Sequence, residues 1–211
     1  MGPEIIFFIA ILVMSVVIHE VSHGYTANLL GDPTARLEGR LTLNPLKHLD
    51  PFGSIILPLL MFLIPGGMIF GWAKPVPYNP YNLRAGKWGP ALVAVAGPLS
   101  NLIIALFFGL LARSGLIISE AFLALAGITV VLNFSLMIFN LMPFPPLDGS
   151  KILFALLPYR WRAVQTALET YWWFFFLIFV FFLWNLVSFI VINLAVLTAT
   201  APIINRAFLA F

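Results

Sequence analysis

His19, Glu20 and His23 stand in the string His-Glu-Val-Ser-His inside the first apolar stretch of the chain. On a helix, side chains four apart share a face with Cβ atoms about 5–6 Å apart, so both imidazoles can ligate one metal ion with Glu20 beside a bound water. That is the core of a zinc hydrolase site, in which the metal brings the pKa of water toward about 7 and the carboxylate takes the proton. The setting is unusual. Ile5 to Met14 is apolar without interruption and reads as the start of a membrane span, so chemistry that consumes water is placed inside lipid.

Two histidines leave such a site incomplete, because catalytic zinc usually takes three protein ligands and keeps a fourth position for water. The main candidates are His48, Asp32, Asp50, Asp148 and Glu38. Asp148 stands out because it follows a proline break, in Asn140-Leu-Met-Pro143-Phe-Pro145-Pro146-Leu147-Asp148-Gly149. A second reading of Asp148 is a cap on the helix that begins near Leu147.

The elements that must position these groups are membrane spans. Of 211 residues, 62% are hydrophobic and 9% charged, against roughly 25% charged in a soluble domain; the mean hydropathy is +1.04. The apolar runs recur along the whole length, which predicts a single integral membrane domain over 1–211, with a core at 5–157 and C-terminal apolar helices at 168–211. The net charge of +3 is explained by membrane topology and does not point to nucleic acid. No cysteine is present. The only early charge is Glu4, and no basic region precedes the apolar run, so the first segment reads as a retained anchor.

With about 20 apolar residues per span, the spans fall at 4–30, 88–112 and 119–141, with a continuation over 147–157. The last 40 residues or so, from Glu169 on, are too long for one span and barely long enough for two. Residues 36–43 partly alternate polar and apolar, which predicts a short strand or hairpin at the membrane surface. Pro75, Pro77 and Pro80 make 74–80 an extended edge or loop. Residues 52–72 are apolar but broken by Pro58, Pro65 and four glycines. Six basic residues in 31–87 and three in 144–167, against Arg113 alone in the intervening turn, put both richer regions in the cytoplasm. Residues 52–72 must then enter and leave on one face, as a re-entrant segment. This topology brings His19, His23 and Asp148 to the cytoplasmic ends of parallel helices. The predicted fold is thus an all-α polytopic membrane protein: a three-helix core, a re-entrant segment, short surface β-strands and C-terminal apolar helices.

Three motifs in this order resemble the site-2 protease family of intramembrane zinc metalloproteases: His19-Glu20-x-x-His23, Gly97-x-x-x-Asn101, and Asn140-x-x-Pro143-x-x-x-Leu147-Asp148-Gly149. The resemblance covers roughly residues 5–157, and no PDZ domain is recognisable, as in the compact branch. It implies His19, His23 and Asp148 as ligands of one zinc ion per chain, and Glu20 as general base. It also implies transmembrane protein substrates cleaved near the cytoplasmic side, and Asn101 or Asn140 bonded to the substrate backbone or the developing oxyanion. Other readings stand beside these. Ala94, Gly97, Asn101 and Ala105 form a small-residue face for close helix packing, and Asn140 can satisfy backbone groups freed by the proline break. His48 reads as an interfacial loop residue, and the aromatic residues of 172–184 as lipid-facing bulk. The rival functions are a divalent-metal transporter and a catalytically inactive relative that binds membrane proteins. The absence of a second, inverted His-Glu-His half argues against the first, and the intact Glu20 against the second.

Overall fold

The apolar run that carries the His-Glu-His string folds as one helix, α1 (Glu4–Leu29), in the computed structural model, which describes residues 4–63, 71–116 and 119–209. Its end is set by Gly31, whose φ of 107° places it in the left-handed region. Asp32 N–H bonds back to Ala27 O and Gly31 N–H to Asn28 O, the paired closure that satisfies the last carbonyls of a helix.

Two more long helices follow, α4 (Gly89–Arg113) and α5 (Glu120–Asn140), after the short α2 (Thr34–Leu37) and α3 (Leu57–Phe62). Helix α4 packs on both α1 and α5. Its contact face is built of small residues, Ala94, Gly97, Ala105, Gly109 and Ala112, all buried, so backbones approach closely where lipid offers no hydrophobic drive. The outward faces keep Ile6, Ile103, Phe107 and Phe189 exposed, as a surface in contact with acyl chains requires. Four helical stretches are long and apolar enough to cross a membrane: Ile5–Leu29, Gly86–Arg113, Glu120–Asn140 and Trp172–Ala199.

Past α5 the chain turns through Pro143 to Leu147 and starts α6 (Asp148–Leu156). Gly149 is required there, because a Cβ would collide with the backbone of Leu141. Helix α7 (Arg162–Thr170) then leads to α8 (Trp172–Ile178), a wider turn over 179–183, α9 (Trp184–Ala199) and α10 (Ala201–Leu209). One long apolar stretch followed by α10 therefore answers the ambiguity of one or two spans. Most aromatic residues of 172–184 are exposed as expected, but Phe179 is only 1% exposed and packs its ring 5.5 Å from Phe139 and 5.8 Å from Phe144. It joins α8 and α9 to the core beneath the α5–α6 turn.

The expected surface strands do not form among the described residues. Thr34–Leu37 is helical, and Gly39, at φ 63°, closes it through Arg40 N–H to Ala35 O and Gly39 N–H to Arg36 O. That closure consumes the donors a ladder would need, so the polar alternation of 36–43 does not become a strand. Residues 74–79 form a strap without ladder partners, with the amides of Lys74, Val76 and Asn79 bonded to His48 O, Glu20 and Asp32. The segment predicted as re-entrant begins as helix over Pro51–Phe62, capped by Asp50, whose carboxylate accepts from Phe52 and Gly53 N–H. Its other end returns to the same place, with Trp72 N–H donating to Gly53 O and Ser54 Oγ to Trp72 O. Residues 64–70 between them lie outside the described part.

Candidate metal centre

His19 and His23 stand one turn apart near the C-terminal end of α1, and Asp148 opens α6 after the proline turn. The fold brings all three together. His19 Nε2 lies 3.0 Å from His23 Nε2 and 3.2 Å from Asp148 Oδ2, and His23 Nε2 lies 3.1 Å from the same oxygen. All three residues are buried. Among the described residues they are the group of three that could hold a metal ion.

The chemistry of the donors can be worked out from their outer contacts. His23 Nδ1 is 2.7 Å from Val93 O, an atom that can only accept, so Nδ1 carries the proton and Nε2 offers a lone pair. For His19 the assignment starts further back. Asn133 Nδ2 donates to Thr129 O and to Ser15 Oγ, which turns Asn133 Oδ1 toward Asn101 Nδ2 at 2.9 Å. Asn101 Oδ1 therefore faces His19 Nδ1 at 2.6 Å and accepts its proton. Two imidazole lone pairs and a carboxylate oxygen thus converge in a buried space with all their protons pointing away. Such a set is repulsive unless a cation sits among its members. Ligands about 2.0–2.1 Å from a tetrahedral zinc lie about 3.3 Å apart, close to the spacings found, so the donors fit a zinc ion.

Gly97 makes the space. A Cβ on this α4 residue would come within 2.5 Å of His19 Nε2 and His23 Nε2. Lys151, one turn into α6, places Nζ 3.3 Å from Asp148 Oδ1, leaving Oδ2 to face the histidines. Glu20 Oε2 accepts a hydrogen bond of 2.9 Å from Val76 N–H.

The remaining expected residues fall as follows. Asn101 is fully buried on the small-residue face of α4, with its carboxamide shared between His19 and Asn133. Asn140 donates from Nδ2 to Leu136 O of its own helix. Asp32, a candidate ligand by type, is fully buried and accepts from Thr34 Oγ1, Asn79 N–H and Asn82 Nδ2. Burial alone would raise its carboxyl pKa, yet these hydrogen bonds hold it below the usual carboxylate range. Its work is to tie the end of α1 to the strap. His48 is a loop residue after the short turn at Pro45–Lys47, buried against the protein with Nε2 bonded to Thr42 O. Sequence reasoning missed Asn133, Lys151 and the Val76 amide. Asn133 carried a usable signal, since an amide inside a span demands a partner.

Comparison with known proteins identifies the family. The model of peptidase family M50 matches residues 110–183, a stretch that includes Asp148. The chain is 41% identical over 174 residues to "Putative zinc metalloprotease YwhC" of Bacillus subtilis, covering 78% of this chain and 75% of that protein. Two proteins named "Putative zinc metalloprotease Rip2", from Mycolicibacterium smegmatis and Mycobacterium tuberculosis, are 34% and 33% identical over 68% and 66% of this chain. The matched part spans about half the length of the Rip2 proteins, 54% and 53%. No solved structure matches the chain.

Proposed function

Because the chain belongs to peptidase family M50, we propose that it is an intramembrane zinc metalloprotease, hydrolysing peptide bonds in or near transmembrane segments of membrane-protein substrates. The observation that carries this reading is the convergence of His19 Nε2, His23 Nε2 and Asp148 Oδ2 within 3.0 to 3.2 Å of one another, with both Nδ1 protons committed elsewhere. These three residues hold one zinc ion per chain. Zinc, when bound, supplies Lewis acidity toward water and the scissile carbonyl. Glu20, beside the ligands on α1, accepts a proton at its carboxylate and returns it to the leaving amine. Asn101 fixes the His19 ring through Nδ1, and Asn133 and Ser15 fix Asn101 in turn, an arrangement that keeps His19 Nε2 a ligand. Asn140 is the residue left for substrate contact at the end of α5.

The whole chain, 1–211, acts as one integral membrane domain, with the metal centre toward the cytoplasmic side, a reading supported by the distribution of Lys and Arg. The adjacency of residues 53 and 72 supports a re-entrant course for the segment between them. Substrate must unwind locally, since a helix hides its peptide bonds. The metal-transporter reading lacks a repeated half, and the inactive-relative reading leaves an intact Glu20 without a role.

The test is metal removal. Stripping zinc from the purified protein in detergent with a chelator is expected to abolish cleavage of a model transmembrane peptide, and stoichiometric zinc to restore it. Cleavage that survives complete removal, verified by elemental analysis, overturns the proposal. A second variant tests the support behind the ligands. Asn101→Leu deprives His19 Nδ1 of its acceptor and is expected to weaken zinc binding about 10–100-fold, read by competition with a chelating dye. Unchanged affinity would leave Asn101 as packing alone.

A further inference from the structure

The carboxylate at Glu20 is met by an amide from outside its own helix. The strap over 74–79 crosses α1 at this point, and the hydrogen bond from Val76 N–H to Glu20 Oε2 is 2.9 Å. Pro75 and Pro77 have no N–H, so Val76 supplies the one backbone donor between Lys74 and Tyr78. That donor is spent on Glu20.

The strap is pinned on both sides of this contact. Upstream, Lys74 N–H donates to His48 O at 2.8 Å, and Arg40 Nη2 donates to Lys74 O at 2.8 Å. Downstream, Asn79 N–H donates to the buried Asp32 carboxylate at 2.7 Å. Between the pins Val76 is 6% exposed and lies against Gly24, one turn past Glu20 on α1. A Cβ at Gly24 would come within 2.7 Å of Val76 Cγ1 and 2.6 Å of Leu41 Cδ2. Glycine at this position is what lets the strap lie close enough for its amide to reach the carboxylate.

From this geometry we propose that Val76 is a positioning residue for hydrolysis, its backbone N–H holding Glu20 Oε2 so that Oε1 is presented as the proton-accepting atom. The inference rests on Glu20 being the general base of the proposed protease. A glutamate side chain on a helix samples several rotamers, and an amide bond from a pinned segment selects one. The donor is neutral, so it fixes direction without cancelling the charge that takes the proton. Proline on each side keeps the strap from offering a second donor that would compete for Oε1. Reactions that depend on such alignment lose about 10²-fold for a displacement near 1 Å.

The experiment compares Val76→Pro, which removes the N–H, with Val76→Ala, which removes side-chain packing and keeps it. Both are assayed as the full-length, zinc-loaded protein on a fluorogenic model transmembrane peptide that the wild type cleaves. Val76→Pro is expected to lower kcat by tenfold to a hundredfold, with KM and zinc content within twofold of wild type, and to lose at least tenfold more kcat than Val76→Ala. Equal losses in the two variants, an unchanged kcat in Val76→Pro, or a raised kcat indicating a strap that blocks the site, each overturn it. Gly24→Ala decides the matter if Val76→Pro does not fold, because its Cβ forces the strap away with every amide intact. A tenfold fall in kcat that Val76→Ala partly rescues in the double variant supports the proposal, and an unchanged kcat sinks it. Glu20→Gln runs in parallel. If Glu20→Gln is inactive while Val76→Pro is fully active, only the positioning role fails; if Glu20→Gln is active, the general-base reading itself fails.

Discussion

Glu20→Gln is expected to leave zinc bound and to reduce cleavage by two to four orders of magnitude, the range that general acid–base assistance supplies. Glutamine has nearly the size and shape of glutamate, and its carbonyl oxygen can still accept from the Val76 amide, so neither α1 nor the strap is disturbed. What is lost is the ability to take a proton at neutral pH. The three side chains that could hold a metal ion do not include Glu20, which is why metal content and cleavage should separate in this variant. Zinc by elemental analysis and product by mass spectrometry measure the two quantities on one preparation. Wild-type turnover in Glu20→Gln would remove the assignment of the base. Loss of zinc would move Glu20 among the ligands.

Asp148→Asn is expected to do the opposite and remove both. Groups behind the ligands are worth about 10–100-fold in metal affinity, so replacing a charged ligand atom should cost more than 100-fold. A neutral carboxamide in its place leaves two imidazole lone pairs 3.0 Å apart with no anion to complete the set, and it removes the charge that pairs with Lys151 Nζ. Activity should fall in proportion to occupancy and recover in part at high zinc. Unaltered thermal unfolding of the metal-free forms of variant and wild type would assign the loss to the site and not to the fold. Stoichiometric zinc retained by Asp148→Asn after dialysis would strike Asp148 from the ligand set.

The spans and the two histidines of the candidate centre were legible in the residues because both signals are local or nearly so. Hydropathy over about 20 residues marks a span wherever it sits, and the spacing of His19 and His23 is a property of one helix. Asp148 was singled out by the proline break before it, by the expected parallel course of α1 and α5, and by the family resemblance, with a helix cap as the second reading. The strap was harder. Prolines excluded a helix over 74–80, but only the fold reveals that the amides of this segment are taken by His48, Glu20 and Asp32, residues 26 to 56 positions away in sequence. Residues 36–43 failed for the opposite reason, since the alternation was real but Gly39 closed a helical turn before any ladder could start. Asn101 was recognised on a small-residue face, and its burial followed from that. Its partner did not, because the bond to His19 joins residues 82 apart and the one to Asn133 joins residues 32 apart. A backbone N–H such as that of Val76 has no letter in the sequence and could not be read from it.

Each donor atom of the triangle is buttressed from behind: His19 by Asn101, His23 by the Val93 carbonyl, and Asp148 by Lys151. None can retreat without breaking the contact that orients it. An ion that wants longer bonds and more neighbours, as calcium does with six to eight oxygens at about 2.3–2.6 Å, would have to splay all three at once against closely packed helices. With a metal bound at this triangle, the scaffold behind it would discriminate by ionic radius before the softness of any ligand came into play.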